Sequence, residues 1–253
     1  MPRRLLVGAL LLLALDARAA QLILNEYNAV SASSFLNGGT FEADLDGGQA
    51  ADPAFGRMQG NGGDWFELVV VADHLDARGW KLSICDNGVC NEDLVFSQSA
   101  LWADLRAGTI ITVAEDVATD ASYDPAGGDW SINVQAIDAG PADYVTPNSF
   151  PVSNDNWQLT IRSASDALVF GPAGEGLAPD PATGCNPPPV GVNSREVFKL
   201  ETAPGALVER CSQSYNDGTT STFGAPNAWS GGQVVQDLSA LRLGLAIPDR
   251  DTD

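Results

Sequence analysis

The sequence predicts an all-β fold, on three observations. Short runs alternate apolar with polar residues, and a period of two marks a half-buried strand. Glycine (26) and proline (15) recur between those runs and supply turns. Long apolar stripes of helical period are missing, except near the C-terminus. Apolar residues are 44% of 253, enough for a sizeable core in one large domain or two small ones.

Residues 1–19 read as a secretory signal. Arg3 and Arg4 form a basic start, residues 5–15 an apolar stretch too short to span a bilayer, and Ala17-Arg18-Ala19 the small residues that a signal peptidase needs. No cysteine directly follows the stretch, which speaks against a lipid anchor. Cleavage after Ala19 predicts a secreted or periplasmic protein and removes three arginines but one acid. The formal charge of the whole chain is already −20. Such a surface repels phosphate backbones and anionic lipid, so nucleic acid is disfavoured as a partner. The acidity suits either solubility outside the cell or divalent-cation binding.

The first predicted strand covers residues 21–27, where Leu22 and Leu24 alternate with Ile23. Asn25-Glu26 places a carboxylate at its end. A structural role, holding backbone N–H groups of a neighbouring loop, is favoured over a ligand or general-acid role, since an isolated acid lacks a catalytic partner. Residues 28–63 form a glycine-punctuated acidic segment that Phe35, Phe41 and Phe55 can pin to the body of the fold. Structureless loops of this length are uncommon and usually functional. Asp44-Leu45-Asp46-Gly47 resembles the opening of a calcium loop, with alternating carboxylates and a glycine for the turn. Asp44, Asp46 and Asp52 are the candidate calcium ligands, although the glutamate that completes an EF-hand loop is missing.

Residues 63–86 read as two strands joined by a turn. In the first, Phe66, Leu68 and Val70 face one way and Trp65, Glu67, Val69 and Val71 the other. In the second, Trp80, Leu82 and Ile84 share a face. The turn ends on Gly79, the expected residue of positive φ. Short strands follow at 94–96, 109–113 and 130–134, the middle one apolar enough to be central. A tight turn at 154–156 leads into a hairpin of residues 157–161 and 167–170. Residues 171–193 are glycine- and proline-rich loop, and Pro187-Pro188-Pro189 forbids strand pairing there. One more strand is expected at 195–200. The polar stretch 211–223 ends in a turn at 224–227. A short amphipathic helix is expected over 237–247, stopped by Pro248, with residues 230–253 as a C-terminal tail.

Four cysteines in an exported chain point to disulfides, with three possible pairings. Cys85–Cys90 is favoured, because Asn87-Gly88 between them suits a tight reversal. That choice leaves Cys185 with Cys211. Zinc suits the sequence poorly, with one histidine and no paired C-x-x-C spacings.

Several of these stretches together resemble the lamin tail domain family. They are Asn25-Glu26, then Asp64-Trp65-Phe66-Glu67-Leu68, then Arg78-Gly79-Trp80-Lys81-Leu82. Leu105-Arg106-Ala107-Gly108 and Ser221-Thr222-Phe223-Gly224-Ala225-Pro226-Asn227 follow in the family's order. The resemblance spans residues 21–229. It departs at Ala77, where the family prefers Leu or Ile, and in about thirty residues inserted at 28–63. It implies an immunoglobulin-like β-sandwich over residues 20–229. The family motif has no catalytic residues to carry over.

Catalysis needs a constellation, and none stands out. His74, the only histidine, lies in a turn beside Asp73 and Asp76, where a solvated or capping imidazole is ordinary. No G-x-S-x-G elbow, P-loop or dinucleotide fingerprint is present. Pairs of acids abound, yet so many acids make pairs by coincidence. Trp102, Trp130, Trp157 and Trp229 could stack on sugars, though most sit in apolar strand patterns that favour the core. The reading is a non-catalytic extracellular interaction or structural module with a protein or polysaccharide partner. A glycan-acting hydrolase and a calcium-dependent adhesion module are the alternatives.

Overall fold

The protein is described by a computed structural model that covers residues 19–40, 50–137, 143–176, 189–205, 211 and 214–245. The signal segment, Asp44, Asp46, Cys185 and the end of the tail lie outside the described residues. Strands dominate: β1 (Leu22–Asn28), β2 (Trp65–Val70), β3 (Lys81–Asp86), β4 (Val89–Val95), β5 (Ile110–Ala114) and β6 (Ser131–Gln135). After them come β7 (Gln158–Arg162), β8 (Leu168–Gly174), β9 (Val197–Leu200), β10 (Tyr215–Gly218), β11 (Ala228–Trp229) and β12 (Val234–Val235).

These strands build a β-sandwich. One sheet has six strands in the order β10-β9-β1-β2-β5-β6, and the other has four in the order β4-β3-β7-β8. Every pair in them is antiparallel except β5 with β6. One apolar core joins the two sheets. Tyr27 of β1 meets Trp157 at 4.3 Å between ring centroids, and Phe66 of β2 meets Phe150 at 5.2 Å. Burying aromatic rings of this size supplies much of the drive to fold.

The two strands expected within residues 63–86 are present but are not partners. β2 lies between β1 and β5, while β3 lies between β4 and β7 in the opposite sheet. The ten-residue connection is too long for a tight hairpin. It crosses the edge of the sandwich, fixed by reciprocal Leu75–Leu105 backbone bonds and by Ala77 N–H on the Trp102 carbonyl. Gly79 has φ +75°, as expected. Ala77, where the resembled family prefers a larger residue, is fully buried.

The turn at 86–89 closes the β3–β4 hairpin, and a Cys85–Cys90 disulfide staples it. Cys211 is also disulfide-bonded, while its expected partner Cys185 is outside the described residues. Replacing Cys85 and Cys90 together by serine is expected to cost at most about 2 kcal/mol, because so short a ring removes little freedom from the unfolded chain. A small fall in denaturant midpoint at unchanged slope would show it.

Four further elements differ from expectation. β4 starts at Val89, earlier than its apolar end at 94–96, because the disulfide turn feeds straight into the ladder. β8 runs past Phe170 to Gly174, and its glycines make this possible. A Cβ on Gly171 or Gly174 would collide with the carbonyl of Leu159 in β7 or of Trp157 just before it. β10 (YNDG) carries no apolar alternation and pairs only with β9, so nothing in its pattern announces a strand. Near the C-terminus the helical piece is a single wide turn, Leu241–Leu245, with Leu238 and Leu241 buried against the core.

The described parts of the 28–63 segment fold onto the sandwich. Phe35 bridges to Gln59, and Phe55 packs on Trp65 and Phe223 at 6.5 and 4.7 Å. Arg57 is buried beside the Phe35 ring and donates to the carbonyls of Leu36, Gly38 and Ala50. This segment brings Asp52 to the site described next. Among the described residues no helix is long and apolar enough to cross a membrane.

Candidate functional site: a buried acid row under the closing loop

Strand register places one polar row straight across the six-stranded sheet. Asn216 (β10) is opposite Lys199 (β9), Lys199 opposite Glu26 (β1), Glu26 opposite Glu67 (β2), Glu67 opposite Thr112 (β5), and Thr112 opposite Asn133 (β6). Directly opposed residues share a face of a sheet. A register shift between Leu24 and Glu26 sets this alignment and leaves Asn25 in the bulge. The middle of the row is sealed from water: Glu26 and Glu67 are 0% exposed and Lys199 1%.

The cover is the loop of residues 220–227, and the row grips it residue by residue. Lys199 Nζ donates to the Thr220 carbonyl at 2.8 Å. Glu26 accepts from Thr222 Oγ1 at 2.8 Å and from Thr222 N–H at 3.3 Å. Glu67 accepts from Gly224 N–H and Asn25 Nδ2, both at 2.8 Å, and from Thr112 Oγ1 at 3.4 Å. Asp52 accepts from the Ser221 hydroxyl and from Phe223 N–H at 3.0 Å. Three successive amides, 222 to 224, therefore each end on a different carboxylate.

Asn227 ties the loop to the strands. Its Nδ2 donates to the Asn25 and Leu200 carbonyls, both at 2.9 Å, and its Oδ1 accepts from Asn25 Nδ2 at 3.1 Å. Gln236 donates to Asn25 Oδ1 and the Thr202 carbonyl, both at 2.9 Å. Asn61 links Ser221 to Asn28, and Trp65 Nε1 donates to the Asn61 carbonyl at 2.9 Å. The Phe223 ring meets Trp65 edge-on at 5.3 Å.

Burial dominates the electrostatics. It pushes the Glu26 carboxyl up from 4.5 to about 7, against the pull of Lys199 and with a further push from Asp52. Glu67 is raised well above the usual range by burial and by neighbouring Glu26, although its donors favour the charged form. Burial holds Lys199 below an ordinary lysine. Removing a charge from water costs more than these hydrogen bonds return.

Of the candidate calcium ligands Asp52 lies at this site, and the remaining described candidates fall elsewhere. Asp52 spends Oδ1 on Ala54 N–H at 2.8 Å and Oδ2 on the closing loop, so both oxygens serve the chain. Among the described residues no three His, Cys, Asp or Glu side chains are placed to hold a metal ion. His74 is exposed, with Nδ1 at 2.7 Å from Asp104 and Nε2 at 3.6 Å from Asp73. Arg106 clamps Asp73 at 2.7 and 3.1 Å. Trp102 and Trp157 are fully buried, and Trp130 lies half-buried under the Arg242 guanidinium at 4.9 Å. Trp229 is partly exposed in the β11–β12 hairpin.

A groove of about 290 Å³ opens beside this region, lined by Phe55, Met58, Gly62, Gly63 and Val117 and by one carboxylate, Asp116. Nearby, burial, then Glu115 and Asp116, push the Asp64 carboxyl up to about 6.

Sequence reasoning anticipated the role of Glu26 but gave none to Glu67, Lys199 or Asn227. The available signal was a charge inside an apolar run, as in WFELVV and VFKL. Such a charge must be paired if both faces of its strand are buried. Comparison with protein-family models, with curated proteins and with solved structures returned no match for this chain.

Proposed function

We propose that this chain is a secreted or periplasmic, non-catalytic β-sandwich module of the immunoglobulin-like, lamin-tail type, which engages a protein or polysaccharide partner through its loops. One observation carries the reading. The stretches that resemble the family, Asn25-Glu26, Glu67 and residues 221–227, are far apart in sequence, yet they meet in one hydrogen-bonded clamp. Such a clamp is a structural task, holding a distant loop to two strands. The buried acids that could otherwise serve chemistry are sealed beneath the loop and spend their oxygens on it. Rigid sheets with long loops are a common platform for recognition.

A hydrolase is the second reading, because burial and the nearby Glu115 and Asp116 raise Asp64 to about 6, and Asp116 lines the groove. An acid with its pKa moved toward neutrality beside a second carboxylate is the pairing that glycoside hydrolysis uses. A calcium-dependent module through Asp44, Asp46 and Asp52 is the third.

Affinity electrophoresis of the mature chain in gels cast with soluble polysaccharides, paired with a reducing-end assay, separates the three. The module predicts retarded migration that is the same in EDTA and in calcium, with no new reducing ends. Retardation only in calcium, lost in Asp44→Ala plus Asp46→Ala, would favour the adhesion reading. Reducing ends released by the wild type and not by Asp64→Asn would replace the module with the hydrolase.

A further inference from the structure

The buried row holds more negative than positive charge. Glu26 and Glu67 stand side by side on β1 and β2, and Asp52 joins them from the inserted segment. The cation that faces them is Lys199 on β9, and Glu201 and Asp217 also act on that lysine. Neighbouring charges repel far more strongly in a dry interior than in water, so Glu26 and Glu67 cannot both ionise cheaply against one ammonium. At least one proton is expected to stay in the row.

What yields when that proton leaves follows from the architecture. The strands under the row are locked by their ladders. The cover is a single loop whose outer surface at residues 223–226 is half-exposed, with its inner surface bonded to the carboxyls. Lifting the loop wets the carboxylates without breaking a sheet. We propose that residues 221–224 are a pH-gated latch, closed while the row keeps its proton and loosened when the proton is lost, which uncovers the Lys199-Glu26-Glu67-Thr112 row beneath.

The direction follows from the raised carboxyls. A group whose folded-state pKa is raised stabilises the closed form fully below its ordinary value and loses that contribution as pH rises through the raised one. For Glu26 those limits are 4.5 and about 7, so the latch is tight in mild acid and loosens above neutrality. Glu67, raised further by burial and by Glu26, extends the same trend to higher pH. The latch stands whether or not the lamin-tail resemblance does, since it depends only on register and burial.

Hydrogen exchange of the mature protein tests it, with rates normalised to the intrinsic chemical rate at each pH. From about pH 5.5 to about pH 8.5, protection of the 222–224 amides should fall roughly tenfold more than that of the β7 amides at Gln158–Arg162. Glu26→Gln keeps both contacts with Thr222, because the threonine hydroxyl can turn to accept from the new amide. In that variant the excess fall at 222–224 over β7 should be clearly smaller than in the wild type, with what remains due to Glu67. Equal changes in loop and β7 in the wild type would overturn the latch, and so would a Glu26→Gln profile that follows the wild type. If that variant fails to fold, the wild-type comparison decides by itself.

Discussion

Asn227→Ala is expected to lower stability by about 3–5 kcal/mol, among the largest effects of any single polar substitution in this chain. Asn227 is 0% exposed, and alanine in its place would strip a donor from the Asn25 and Leu200 carbonyls and an acceptor from Asn25 Nδ2. Each buried group left without a partner costs about 1–3 kcal/mol, and the small cavity left cannot recruit enough water to replace three partners. The loss spreads further, because Asn25 also holds Glu67 and Gln236. Denaturant unfolding checks the size of the effect. Asn227→Asp serves as the comparison, since it keeps the acceptor but removes both donors and adds a fourth carboxyl. A loss under about 1 kcal/mol for Asn227→Ala would mean that the clamp is not needed to hold the loop.

Lys199→Met should be most damaging where Glu26 is ionised. Methionine fills the volume of the lysine stem, so the change is mainly electrostatic. Breaking a buried ion pair by removing one partner typically costs about 3–5 kcal/mol, because the other charge is left without compensation. Lys199 pulls the Glu26 carboxyl downward, so its removal lets Glu26 keep a proton to higher pH. Near pH 5, where Glu26 keeps its proton, the deficit should fall to about 1 kcal/mol, the loss of the Lys199 hydrogen bond to the Thr220 carbonyl. Near pH 8 the deficit should grow by about 1–2 kcal/mol, because the stranded Glu26 can take up a proton at a cost of roughly 1.4 kcal/mol per pH unit above its raised pKa. Adding Glu26→Gln removes the stranded charge, and the double variant should recover most of the loss. Unfolding curves at the two pH values, on the single and double variants, read this directly. A deficit that is the same at both values would place the cost in packing instead of charge.

Much of the fold was legible in the chain. The alternation in β1, β2, β7 and β8 marked strands because the period of two is local geometry, although β1 and β2 proved buried on both faces. Asn87-Gly88 between two cysteines marked the stapled hairpin, since the turn and the disulfide depend on few residues. Other strands gave less away. β10 is short, polar and supported only by β9, so it exists because a partner offers its edge. The partnership of β2 with β5, and not with the next strand β3, was also hidden. Both strands are apolar enough to enter either sheet, and the choice depends on long-range packing.

The candidate site divides in the same way. Glu26 at a strand's end was readable as a carboxylate holding backbone N–H groups, and the structure gives it Thr222. Glu67 and Lys199 were readable only as charges within apolar runs. That Lys199 faces Glu26, and Glu26 faces Glu67, follows from register, and here one bulge near Asn25 sets it.

The sequence by itself determined the all-β class, most of the strands and the hairpin disulfide, because each follows from side-chain period, turn chemistry or a few adjacent residues. Tertiary structure alone decided which strand lies beside which, and so which charges meet. A one-residue slip of β1 would turn Glu26 to the other face and dissolve the row. No local pattern encodes such an alignment, because its free energy is shared by residues as far apart as Asn25 and Asn227.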